Sequence, residues 1–211
     1  MKVLLVNGSP HEKGCTYTAL MEVAGVLENE GIGAEVVWIG NKPLSGCIDC
    51  RTCMERKKCI FDDKVNEVLA VAQSVDGFIF GSPVHYAAAS GAMTSFMDRL
   101  FFADLLSGRQ SFALKPAAAV VSARRAGTTA TFDQLNKYFT ISQMPIISSR
   151  YWNMVHGATP EDVRKDLEGL QTMRVLARNM AWFLKCKEAG LKAGVPVPVQ
   201  EENIYTNFIR E

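Results

Sequence analysis

No apolar run in this 211-residue chain approaches the roughly 20 residues needed to cross a bilayer, which leaves out a membrane-spanning helix. The start, Met1-Lys2-Val3, reads as a strand and not as a targeting segment, so a cytoplasmic protein with reduced thiols is expected. Charge of one sign is missing too. With 23 Lys and Arg against 22 Asp and Glu, the net charge is +1, too weak a field to indicate nucleic acid or a membrane surface as partner. Neither the G-x-x-x-x-G-K-[ST] order of a nucleotide triphosphatase nor the G-x-G-x-x-G of a dinucleotide site occurs, which excludes those two phosphate sites. No base and nucleophile stand out as a catalytic dyad, as suits chemistry carried by a bound cofactor. What remains is a composition of 48% hydrophobic and 21% charged residues, that of one α/β core with an insertion and a tail.

Cysteine, by contrast, is concentrated. Four of the six fall in one short loop, Cys47-x2-Cys50-x2-Cys53-x5-Cys59. Iron–sulfur clusters are held by four thiolates, often two residues apart, and here the longer last arm brings Cys59 back to the same centre. Three other readings stay open. Structural zinc more often uses two separated C-x2-C knuckles, disulfides need an oxidising compartment, and a reduced loop without metal is the remaining case. Arg51, Arg56, Lys57 and Lys58 would balance the charge of a thiolate-ligated cluster, although a short basic run is also an ordinary solvated loop.

The rest of the chain alternates strand and helix signals. Strands are expected at Val3–Asn7, Ala34–Ile39, Asp76–Gly81, Pro116–Val121 and Pro145–Arg150. An amphipathic helix over Thr16–Glu30 carries Tyr17, Leu20, Met21, Val23, Ala24 and Leu27. A second follows a cap at Asp62 or Asp63, and a third starts near Ser90-Gly91 with Met93, Phe96, Met97, Leu100 and Phe101 on one face. A fourth runs from Thr128 or Thr129 to about Ser142. Thr159-Pro160-Glu161-Asp162 opens the last, expected to reach Lys187. Val195-Pro196-Val197-Pro198-Val199 reads as an extended arm, packed on this or a neighbouring subunit. Five such βα units predict a doubly wound parallel sheet, with ligands outside the carboxyl ends of its strands.

Three loops are expected at that edge, residues 8–18, 82–90 and 122–128. The first ends at a helix start, where free N–H groups and the dipole favour a phosphate, and Ser9, Thr16 and Thr18 add hydroxyls. A phosphatase-like nucleophile at Cys15 would want an arginine clamp, which residues 17–22 lack, so Cys15 is read as lending its backbone N–H. Tyr86 suits stacking on a flat ring or a place in a core or interface. Of Arg124 and Arg125, one at a ring edge would stabilise negative charge and the other would serve as a surface ion-pair partner. His85 and His156 receive no role.

Gly8-Ser9-Pro10 with Gly14-x-Thr16, then Gly81-Ser82-Pro83-Val84-His85-Tyr86 with Gly91-x-Met93 and Asp98-Arg99, then Ala126-Gly127-Thr128, resemble the flavodoxin-like NADPH-dependent FMN reductase superfamily. The cysteine loop is similar in every spacing to that of its iron–sulfur flavoprotein branch. The likeness covers roughly residues 1–185 and implies a five-stranded sheet in the order 2-1-3-4-5. Residues 1–187 would form the FMN-binding domain with the cysteine-rich loop at 43–61, and residues 188–211 the arm. It also implies FMN phosphate contacts from Ser9, His11, Cys15, Thr16, Tyr17 and Thr18. Pro83, Val84, His85, Tyr86 and Ala88 would flank the ribityl chain and ring, and Ser122, Arg124, Arg125, Gly127 and Thr128 its other edge. The four cysteines would be metal ligands. His11 and Cys15 depart from the family's common arginine and asparagine, and there the backbone cradle carries the contact.

The implied activity is an FMN-dependent oxidoreductase passing electrons between FMN, a [4Fe–4S] cluster and a ferredoxin-like carrier, as a homodimer or homotetramer. The apolar helix around Phe96, Phe101 and Phe102, together with the arm, is the expected contact surface, or else core. Two alternatives stand beside it: an NAD(P)H-dependent FMN or quinone-type reductase without a cluster, and a non-enzymatic flavin redox sensor.

Overall fold

Five of the six residues of β1 (Lys2–Asn7) are buried, because this strand is central and covered on both faces, as parallel strands are. In the computed structural model, which describes residues 1–202, 204–206 and 208–209, it lies between β2 (Gly33–Trp38) and β3 (Gly77–His85). Beyond β3 come β5 (Ala117–Ala123) and the three-residue β6 (Met154–His156), all parallel. A two-residue strand, β4 (Ala88–Ala89), folds back antiparallel on the end of β3. The order along the sheet is therefore β2-β1-β3-β5-β6, with β4 off this path.

This corrects the expected five strands in the order 2-1-3-4-5 in two respects. The loop after β3 forms a hairpin strand, making six among the described residues, and the last strand lies later than Pro145–Arg150. Among the described residues that stretch makes one bridge, Ala117 to Ile146. It then turns away because Asn179 Nδ2 donates to Ser148 O (2.8 Å) and Ser149 Oγ to Thr172 O (2.7 Å), drawing it onto the last helix. The chain rejoins the sheet at Met154.

Strand side chains alternate between two cores. Val3, Leu5, Ile79, Ala118 and Val120 face one side, packed by α1 (Cys15–Asn29) and α7 (Leu167–Lys192). Leu4, Val6, Phe78, Phe80, Ala119 and Val121 face the other, under α3 (Lys64–Val71), α4 (Gly91–Ser107) and α5 (Thr128–Ile141). The buried face of α1 is rotated from the one expected: Thr16 and Ala19 are inside while Met21 is exposed. On α4, Phe96 and Phe101 are core, the latter in tilted contact with Phe80, Phe112 and Tyr138, so they are not a subunit contact surface.

The Thr159-Pro160 start forms with a full capping box, but the helix stops after six residues as α6 (Pro160–Lys165). Asp166 ends it: one carboxylate oxygen caps α7 at Gly169 N (2.9 Å) and the other accepts from His156 N (2.6 Å) on β6. The cysteine loop joins β2 to α3 and contains one turn of helix, α2 (Cys53–Arg56). Of the expected arm, residues 203, 207, 210 and 211 lie outside the described residues. Among the described residues no helix is long and apolar enough to cross a membrane.

Candidate functional site

The carboxyl ends of β1, β3 and β5 do bring the three expected loops together. Gly8 N donates to Gly81 O (2.8 Å), and Ser90 Oγ donates to Gly8 O (2.7 Å). Ser82 Oγ accepts from Ser90 N (3.0 Å). Thr16 Oγ1 and Ser122 Oγ share a hydrogen bond of 2.8 Å, both residues being buried. The loops also meet at glycines: a Cβ on Gly127 would lie 2.8 Å from Val84, and one on Gly8 2.8 Å from Met93 Sδ. Gly127 further sits at φ +93°, a conformation open mainly to glycine.

The first loop is organised from strand β1. Buried Asn7 accepts from Ser9 N (3.1 Å) and donates to Glu12 O (2.9 Å), Ser9 Oγ accepts from His11 N (3.1 Å), and Trp38 Nε1 donates to Ser9 O (2.7 Å). Asn7 and Trp38 were not among the expected site residues, though an asparagine closing a strand before Gly-Ser-Pro was a signal for the former. The loop delivers the chain into α1 at Gly14, which supplies no side-chain cap, and the first turn holds no acid. The amides at its start are left for a ligand, in the positive end of the helix dipole. The same holds at α5, capped by Gly127 without a side chain or an acid in the first turn. By contrast α4 is capped by Ser90 Oγ and α6 by its box. Two helix starts without a side-chain cap, at Gly14 and Gly127, thus follow the loops of this edge and carry amides of the kind that bind a phosphate.

The hydroxyls read as phosphate donors are largely engaged within the protein. Thr16 binds Ser122, and Thr18 Oγ1 donates to Gly14 O (3.2 Å). The donors at this helix start without a partner of that kind are backbone amides. Breaking the Thr16–Ser122 pair gives a clean test: Thr16→Val or Ser122→Ala alone strands a buried hydroxyl and is expected to cost about 1–3 kcal/mol, whereas the double variant recovers most of that loss in urea unfolding. Burial and the nearby Asp162 and Glu161 push the Cys15 thiol up, opposed by a backbone hydrogen bond. The thiol instead lies 3.6 Å from Gly157 O, as its donor. Both effects disfavour the thiolate that a nucleophile needs.

At the rim, His11, His85, Arg124 and Arg125 are exposed, Tyr17, Pro83, Val84, Ala88 and Gly127 are half-buried, and Thr128 is buried. Tyr86 is fully exposed at the β3–β4 tip, with φ +64°. A tyrosine in the left-handed region is uncommon and costs free energy.

On the α4 side of the sheet, Cys47, Cys50, Cys53 and Cys59 line one pocket with Ile48, Phe61, Arg99 and Phe102 among its other walls. They are not gathered as ligands of one ion: among the described residues no three His, Cys, Asp or Glu side chains could hold a metal ion. Cys53 is buried and pushed up, first by burial and then, beyond a backbone hydrogen bond that lowers it, by the charges of Cys50, Cys59 and Cys47. Thr52 Oγ1 donates to Cys50 Sγ (3.4 Å) and holds that thiol down. What the pocket does supply is the number and kind of donors that a four-cysteine cluster takes, four thiols along one lining. The loop is clamped from α3, where Asn66 accepts from Cys59 N (2.9 Å) and donates to Cys59 O (3.0 Å) and Phe61 O (2.9 Å). Neither Asn66 nor Arg99 was read from the sequence as a site residue, although Asp98-Arg99 belongs to the motifs of the resemblance; their place beside the cysteines comes from packing.

Residues 1–159 match the family of NADPH-dependent FMN reductases. The chain belongs to that family. This FMN reductase-family protein is 32% identical over 194 residues to an iron–sulfur flavoprotein of Methanocaldococcus jannaschii, covering 88% of this chain and 98% of the relative. It is 24% identical over 189 residues to an iron–sulfur flavoprotein of Methanosarcina thermophila, covering 88% and 96%. The iron–sulfur flavoproteins are its branch of the superfamily. Among solved structures, RosB with a bound intermediate superposes with a TM-score of 0.70 at 15% identity, covering 100% of this chain and 94% of that one. An archaeal flavodoxin gives 0.56 at 16%, covering 88% and 99%. These two show the flavodoxin-like fold. The FMN reductase-family chain is thus an FMN-dependent oxidoreductase with a parallel α/β sheet.

Proposed function

We propose that this oxidoreductase is a two-centre electron carrier, with FMN in the crevice of the three loops and a [4Fe–4S] cluster on Cys47, Cys50, Cys53 and Cys59. A ferredoxin-like or small-molecule partner exchanges electrons with it. The observation that carries the reading is that all four thiols of the loop line one pocket wall together with Arg99. The iron–sulfur names of the relatives support it. When bound, FMN supplies one- and two-electron chemistry and the cluster one-electron steps.

The chain's own residues bind, orient and tune. The amides at the start of α1, in the loop holding Ser9, His11, Cys15, Thr16, Tyr17 and Thr18, take the phosphate. Pro83, Val84, His85 and Ala88 form one wall of the ring site, and Ser122, Gly127 and Thr128 hold the opposite loop in register. Arg124 and Arg125 lie exposed beside the crevice, where a guanidinium stabilises negative charge on a reduced ring. Tyr86 is presented for stacking, with a neighbouring subunit of a homodimer or homotetramer closing the far side. Residues 1–187 make the FMN-binding unit and 188–211 the arm, and the protein works in the cytoplasm. NAD(P)H as direct reductant is the second reading, favoured by the family match over residues 1–159.

Iron, acid-labile sulfide and FMN per chain, on protein purified without oxygen, test the proposal. About four iron, four sulfide and one FMN are expected. FMN without iron would leave the NAD(P)H-linked reductase and the flavin redox sensor, and turnover with NAD(P)H and an artificial acceptor decides for the reductase. At Tyr86, replacement by glycine is expected to relieve about 1 kcal/mol of backbone strain and so to raise the melting temperature of the flavin-free protein. The same Tyr86→Gly change is expected to weaken FMN binding by roughly fivefold to tenfold through lost stacking. Unchanged FMN affinity would remove Tyr86 from the ring site.

A further inference from the structure

We propose that Arg99 is a positioning residue that sets the redox potential of the centre held by the four cysteines, an inference resting on the cluster reading above. Arg99 lies on the inner face of α4 and its side chain is 0% exposed. A buried guanidinium needs a partner for its charge and acceptors for its five N–H groups. Asp63 supplies the charge through two parallel bonds, from Nη1 (2.7 Å) and Nη2 (3.0 Å). Carbonyls of Ser45 (3.3 Å) and Phe61 (3.4 Å) take further contacts from the same two nitrogens, and the Phe61 ring lies 4.8 Å from the guanidinium carbon. Those contacts already anchor the side chain. The remaining donor, Nε, is aimed at Cys59 Sγ at 3.3 Å.

That last contact is what a purely structural clamp does not require. Hydrogen bonds to ligand sulfurs and the net charge around them set cluster potentials. A cation donating to Cys59 sulfur stabilises the more negative, reduced form, so Arg99 raises the potential and Asp63, its counter-charge, moderates that effect. The two residues act with opposite signs on the same centre. Arginine is suited to the place because its fork holds Asp63 while Nε stays free for the sulfur, which a lysine cannot reproduce.

The test is a dye-equilibrated reductive titration of the native, anaerobically purified protein, following the reduced centre by electron paramagnetic resonance alongside iron content. Arg99→Gln is expected to shift the one-electron equilibrium at least tenfold toward the oxidised form, about 59 mV downward. Asp63→Asn, which keeps a cap for α3, is expected to shift it upward, and Arg99→Lys to fall between wild type and Arg99→Gln. Iron retained with an unmoved midpoint in Arg99→Gln overturns the inference and leaves the cluster reading intact. So does a shift of the same sign in Arg99→Gln and Asp63→Asn, as loosening of the loop alone would give. If Arg99→Gln cannot hold iron, Asp63→Asn decides: a higher midpoint supports the proposal and an unchanged or lower one sinks it. Wild-type protein without iron overturns the cluster reading and this inference together.

Discussion

A Cys53→Ala chain purified without oxygen is expected to keep its FMN and lose nearly all of its iron and sulfide. Cys53 is the buried member of the four, 7% exposed at the start of the single turn α2. It lines the same pocket as the other three. Removing it takes away the donor furthest inside the pocket while leaving Cys47 and Cys50 at the exposed rim. The fold should tolerate the change, since a buried cysteine packs as a small apolar side chain and the loop keeps its clamps at Asn66 and Arg99. FMN should stay because the crevice proposed for it lies at the carboxyl ends of β1, β3 and β5 and not in this loop. Iron and sulfide assays beside the flavin spectrum report both halves at once. Wild-type iron in Cys53→Ala would mean that these cysteines do not hold the metal; loss of both cofactors would mean that the two sites are not separable.

Gly8→Val is expected to act in the opposite sense, abolishing detectable FMN binding while the cysteine loop keeps its iron. At Gly8 a Cβ would lie 2.8 Å from Met93 Sδ, 2.9 Å from Met93 Cβ and 3.0 Å from its Cγ. The sulfur end can swing aside, but Met93 Cβ is fixed to α4, so the backbone must separate. Gly8 is also where two loops are tied: its N–H donates to Gly81 O and its carbonyl accepts from Ser90 Oγ. Pushing β1 from α4 breaks those ties and moves the start of α1 away from the opposite wall of the crevice. Overpacking of this kind costs about 1–3 kcal/mol, which a domain of this size survives as a lower melting temperature. Equilibrium dialysis or fluorescence titration with FMN measures the binding loss. Near-native affinity in a folded Gly8→Val protein would show that the cradle does not depend on this junction.

Much of the fold was legible in the residues because local chemistry and tertiary structure agree there. Val3-Leu4-Leu5-Val6 is apolar at every position since both faces of a central parallel strand are covered, and it is buried throughout. Thr159-Pro160-Glu161-Asp162 announced a capped helix start and formed one. The spacing of the four cysteines was legible in the same way, because residues so close in sequence have to be close in space; the structure puts them on one pocket.

The misplaced features depend on distant partners. Pro145–Arg150 has the apolar content of a strand, but Asn179 and Thr172 on α7 draw its later residues out of the sheet, so Met154–His156 takes the edge. The last helix was expected to run unbroken, yet Asp166 serves both α7 and the edge of β6, which splits it. Thr16 and Ser122, 106 residues apart, looked like free hydroxyls and instead satisfy each other.

By itself the sequence determined the alternation of strands and helices, the loops at the carboxyl edge and the grouping of the four thiols. Periodicity, caps and short spacings act over a few residues, and nothing distant overrides them there. Tertiary structure alone decided which hydroxyls are engaged, which helix starts stay uncapped toward the crevice, and that Arg99 sits between Asp63 and Cys59, 36 and 40 residues away. The physical reason is burial: a donor or charge removed from water must find its partner inside the protein, and only the packed chain determines which partner is near.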